Sequence, residues 1–172
     1  MPRPHEKPIP SRVAFKQHPL HPMMVHFPIA FLGFVPLADA LFWWQGDPFW
    51  AQMAFWMIVA GFGMGVIASI LGTADFLLVR AVRQHVAGWS HFIAAIMALS
   101  LAGTNLMLRF DDPVGAALPW GLFTSLATLV VLGFAGWLGG TLTFRHGIGT
   151  YVHTDDGDDG GEDDAPEDPV RE

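Results

Sequence analysis

Three histidines, His26, His91 and His146, fall at the ends of apolar stretches that the connectivity brings to one side of a membrane. An imidazole there can ligate a metal or a haem iron, carry a proton, or cap a helix. Bis-imidazole ligation of a b-type haem needs two histidines on facing helices at similar depth. His26 and His91 meet that condition on the deduced topology, with His146 as a substitute, and Arg80, Arg83 and Arg145 lie where they would pair with propionates. The other open chemistry is a first-row transition-metal site built from His21, His26, His91, His146 and Asp75, since imidazole with carboxylate suits zinc, iron, copper or nickel. Beside both stands the plain structural alternative. The histidines then cap helices and bond one another, Asp75 pairs with Arg80 or Arg83, and the chain is a non-catalytic membrane subunit. An ionisable group inside a bundle is a functional candidate by default, because placing it there costs a few kcal/mol unless it is paired.

Other local patterns carry less. Gly61-Phe-Gly63-Met-Gly65 lies inside an apolar run with no preceding strand, so it reads as helix packing rather than a nucleotide loop. Ser90 and His91 are adjacent, and neighbours on a helix point about 100° apart, which is wrong for a nucleophile and its base. No residue is assigned a catalytic role. His18-Pro-Leu-His21-Pro is a metal pair of low specificity on an extended arm. The chain has no cysteine, which excludes disulfides, thiolate metal sites and covalent haem attachment.

These side chains must be positioned by helices. Of 172 residues 52% are hydrophobic and only 15% charged, with 14 Phe and 7 Trp, a composition that reads as an integral membrane protein. The net charge of -7 belongs to the end of the chain: residues 154–172 hold ten acidic side chains and one arginine. Apolar runs over about Met23–Trp44, Phe49–Val79, Ala87–Leu108 and Val114–Leu142 each reach the roughly 20 residues that cross a hydrocarbon core. Lipid offers no hydrogen-bond partners, so such runs must be helices. A cleavable signal peptide ending near Ala38-Asp39-Ala40 is the competing reading of the first run, disfavoured by its long polar leader and full span length.

The expected fold is therefore all-α: an integral membrane four-helix up-down bundle over 23–146, preceded by a Pro-rich arm over 1–22 and followed by an acidic disordered tail over 147–172. The arm is expected to be extended, with no fold of its own. Short loops at about Gln45–Pro48, Arg80–Val86 and Arg109–Pro113 make sequential helices antiparallel neighbours. One side receives Arg3, Lys7, Arg12, Lys16, Arg80, Arg83 and Arg145, and the other only Arg109, which predicts cytoplasmic termini in a bacterial inner membrane. Small-residue stripes predict the inward faces: Ala30, Gly33 and Ala40 with His26; Gly61, Gly65, Ala68 and Gly72 leading to Asp75; Ala95, Ala98, Ala102 and Asn105 with His91; and Thr128, Gly136, Gly139 and Thr143 leading to His146.

The segments His21-Pro-Met-Met-Val-His26-Phe-Pro-Ile-Ala and Gly136-Trp-Leu-Gly-Gly-Thr-Leu-Thr-Phe-Arg145-His146-Gly147 resemble a bacterial membrane family, domain of unknown function 2231, over about residues 18–150. The resemblance implies a four-helix inner-membrane protein without an established activity. Some relatives are joined to Rieske-type iron–sulfur domains, which implies an electron-transfer setting, although no such domain lies in this sequence. The expected partners are the lipid bilayer, a redox or other membrane-protein partner, and further copies of the chain. Nucleic acid is not expected, because the basic residues are few and spread along the membrane-facing ends.

Overall fold

The computed structural model describes residues 9–150. Four helical spans dominate it, and each boundary has a local cause. Helix α1 (Leu20–Met24) continues through Val25, whose backbone is right-handed helical, into α2 (His26–Gln45), so the two make one span of 26 residues. Gly46 ends it in the left-handed region at φ 69°, a conformation that L side chains resist, and its N–H returns to Phe42 O at 2.8 Å. One residue on, the Asp47 carboxylate accepts from Phe49 N at 2.9 Å and Pro48 occupies the first helical turn, which starts α3 (Pro48–Leu78). The extended residue Val79 ends α3, the short α4 (Arg80–Gln84) turns the chain, and extended His85 leads into α5 (Val86–Arg109). A turn through Ala117–Gly121, with a cis Leu118–Pro119 bond, feeds α6 (Leu122–His146), which Gly147 ends at φ 63°.

The most extensive contacts join α2 to α3 and α5 to α6, with α3 against α5 and α2 against α6 completing a ring of antiparallel neighbours. This is the four-helix up-down bundle that the run lengths imply. All four spans are long and apolar enough to cross a membrane. Large apolar side chains cover the outside, among them Trp56, Phe134, Trp137 and Phe144, as lipid requires of an outer surface. Val35, Ala38, Ala54 and Ile58 fill the centre of the α2–α3 contact.

One expectation about faces needs correction. On α2 the buried stripe is Pro28, Leu32, Val35, Pro36, Ala38 and Asp39, whereas His26 and Ala30 are exposed and nothing lies within 4 Å of a Cβ built on Gly33. His26 and Ala30 thus face outward, and Gly33 and Ala40 are only half-buried. On α6 the expected stripe does face inward: Thr128 is buried, and Leu132, Gly136, Gly139 and Thr143 line the cavity between the helices. The arm's residues 14–18 are exposed, as a wet leader requires, but the arm is not without a fold of its own. Its described part folds into an antiparallel hairpin of β1 (Ala14–Phe15) and β2 (His18–Pro19), and Ile9 bridges to Ile148. Residues 1–8 and 151–172, with most of the acidic tail, lie outside the described residues.

Candidate functional site

Between the four spans, at the end carrying the arm, lies a cavity of about 330 Å³. Glycine and alanine open it: Gly65, Ala68 and Gly72 from α3, Ala95 and Ala98 from α5, and Ala135 and Gly139 from α6 all line it. Two imidazoles enter this space. His21 on α1 and His91 on α5 stand with ring centroids 6.1 Å apart and planes crossed at 77°. The glycines permit that approach, since a Cβ on Gly72 would come within 2.7 Å of the His21 ring, and one on Gly139 within 3.2 Å of His91 Cε1.

Both rings are oriented the same way. His21 Nδ1 donates to Ala68 O at 2.8 Å and His91 Nδ1 to Ala135 O at 2.9 Å. A carbonyl oxygen only accepts, so Nδ1 carries the proton and the neutral ring keeps its lone pair on Nε2. Fixing the outer nitrogen in this way is how proteins prepare an imidazole for ligation.

The remaining candidates are distributed differently from the expectation. His26 is exposed, with Nδ1 3.3 Å from Met23 O, and His91 pairs with His21 instead. The reason is the turn of α2, which carries Pro28 and Leu32 inward and His26 away. His146 at the end of α6 packs on His85, ring centroids 4.2 Å apart, rather than on His91. Asp75 lines the cavity but forms no ion pair with Arg80 or Arg83 among the described residues. Its carboxylate accepts from Ser11 Oγ at 2.6 Å and from the Arg12 and Val13 amides at 2.9 Å each. Arg80 and Arg145 are exposed, Arg83 Nη1 donates to Leu77 O at 2.6 Å, and none of the three lines the cavity. Among the described residues no group of three or more His, Asp or Glu converges to hold a metal ion.

At the opposite end lies a polar network that the sequence reading missed. Arg109 donates through Nη1 and Nη2 to the two oxygens of Asp39 at 2.7 and 2.8 Å, and neither side chain is exposed. Ser125 Oγ donates to Asp39 Oδ2 at 2.7 Å, Arg109 Nε to Asn105 Oδ1 at 2.8 Å, and Asn105 Nδ2 to Gly121 O at 3.2 Å. In the sequence Arg109 opens a short loop and Asp39 sits in a cleavage-like tripeptide. The available signal was one acidic and one basic residue, each at the same end of a membrane run, which lipid disfavours unless they meet.

The chain matches the family described as Predicted membrane protein (DUF2231) over residues 17–151, and it belongs to that family. No curated protein and no solved structure matches it.

Proposed function

We propose that this member of the DUF2231 family holds one b-type haem between His21 and His91 and serves electron transfer. The observation that carries the reading is the pair itself: two imidazoles, each oriented through Nδ1, facing a cavity between helices. His21 and His91 would hold the haem iron through their free Nε2 atoms, the two rings standing 6.1 Å apart between centroids.

The number of donors separates the haem from a bare metal ion. Haem brings most of its iron's ligands with it and would ask the protein for two, here His21 and His91. A lone zinc asks for three or four protein donors, and Asp75, the nearest carboxylate candidate, is already engaged by the arm. The cavity volume of about 330 Å³ sits at the small end of the roughly 300–1,000 Å³ typical of ligand sites. This reading gives Arg80, Arg83 and Arg145 no ligand contact. When bound, haem would supply a one-electron redox centre, while the chain's residues orient the axial nitrogens and exclude water.

We place the protein in a bacterial inner membrane with both termini cytoplasmic. Arg12, Lys16, Arg80, Arg83 and Arg145 lie at one end of the bundle. The single arginine at the other end is neutralised in its pair with Asp39, which sharpens the charge asymmetry. One cofactor near one surface cannot carry an electron across the bilayer, so a redox partner, another membrane subunit or a second copy completes the path.

The test is the oxidised and dithionite-reduced absorption spectrum of protein purified in mild detergent from haem-replete cells. A Soret band with a sharp reduced α-band supports the reading. A flat spectrum overturns it. Near-stoichiometric metal by elemental analysis would then favour the metal-site alternative, and no bound species would leave a non-catalytic subunit.

A further inference from the structure

The described part of the arm is stitched down at two places beside the cavity. At one, Ile9 N donates to Gly147 O at 3.0 Å and Gly149 N donates to Ile9 O at 2.8 Å, tying the arm to the exit of α6. At the other, the single carboxylate of Asp75 on α3 accepts the Ser11 hydroxyl and the Arg12 and Val13 amides. Between and beyond these points Ser11 and Pro19 of the arm, with Ile148 and Gly149, form part of the wall around His21 and His91. The arm thus supplies part of the wall at this end of the cavity, through Ser11 and Pro19.

The segment also has the character of a movable element. Its hairpin residues Ala14, Phe15, Lys16, Gln17 and His18 are all exposed, so hydrogen bonds at the two anchors, with Ile9 against the Phe76, Val79 and Val82 cluster, hold it down. Segments with few buried apolar contacts open at low free energy. We propose that residues 9–19 are a strap across the aqueous mouth of the His21/His91 cavity, that Asp75 is its latch, and that the ligand enters from the aqueous side when the latch releases. The proposal builds on the reading of this cavity as a ligand site.

The absence of cysteine makes the strap testable in the full chain. Ser69, which lines the cavity, is replaced as Ser69→Cys, and its reaction with a small charged methanethiosulfonate is timed in detergent without added ligand. Adding Asp75→Ala is expected to speed the reaction roughly tenfold or more, because three hydrogen bonds to a charged acceptor are lost together. Gln84→Cys, at an exposed position, should react at one rate with or without Asp75→Ala. Equal rates for Ser69→Cys in the two backgrounds would overturn the strap. If Asp75→Ala does not fold, Ser11→Ala removes the hydroxyl that donates to Asp75 and accepts from Val13 N, and gives the same decision, acceleration supporting the strap and an unchanged rate rejecting it. Cavity access is read without a cofactor, so a colourless protein with a gated cavity and a haem-bearing protein with an open one are separate results.

Discussion

Arg109 and Asp39, 70 residues apart in the chain, face each other through two parallel hydrogen bonds of 2.7 and 2.8 Å with both side chains fully buried. The pair ties the end of α5 to α2, and Ser125 adds α6 through Asp39 Oδ2. Removing one member strands the other charge, so Asp39→Ala or Arg109→Ala should each cost about 3–5 kcal/mol. Joint replacement by Leu and Met removes both charges and should recover most of the loss. Equilibrium unfolding in mixed detergent micelles checks this. Singles no worse than the double variant would show that the pair does not lock the bundle.

The axial ligands are predicted to be His21 and His91. Each single alanine variant should lose the Soret band, whereas His26→Ala should keep it, because His26 is exposed and turned away from the cavity. Loss of the band in His26→Ala with retention in His21→Ala would reverse the assignment.

Glycine substitutions should separate by what they face. A Cβ on Gly72 would stand 2.7 Å from the His21 ring, so Gly72→Ala should push the imidazole off Ala68 O and reduce cofactor occupancy. Gly63→Ala has nothing within 4 Å and should bind as the parent does. Cofactor-to-protein ratios of the purified variants decide it.

Orientation can be read by labelling single cysteines in intact cells with a membrane-impermeant thiol reagent. With cytoplasmic termini, Asp111→Cys should be labelled and Gln84→Cys protected until the cells are lysed. The opposite pattern would invert the topology.

Much of this architecture was legible in the chain, and the exceptions have identifiable causes. The runs from Phe49 to Val79 and from Ala87 to Leu108 reappear as α3 and α5 shifted by a residue. The stripes Gly61, Gly65, Ala68 and Ala98, Ala102, Asn105 are buried as expected. On α2 the same reasoning chose the wrong face, because a helix apolar all round carries no pattern telling lipid from protein. Pro19 and Pro22 flank His21 and suggest an extended arm, yet a proline in a first helical turn is well tolerated. The docking of Ser11 and Ile9 had no local signal, for their partners Asp75 and Gly147 lie far away in sequence.

The sequence by itself determined that four helices cross a membrane as sequential antiparallel neighbours. That requirement is local, because each apolar run of about 20 residues must satisfy its own backbone in lipid and each short loop must turn straight back. Only the tertiary structure decided which side chains meet: His91 with His21, Arg109 with Asp39, Asp75 with the arm. Those pairings depend on how far each helix is rotated about its axis and where it meets its neighbour. Such rotations are settled by packing among helices, which no single apolar run encodes.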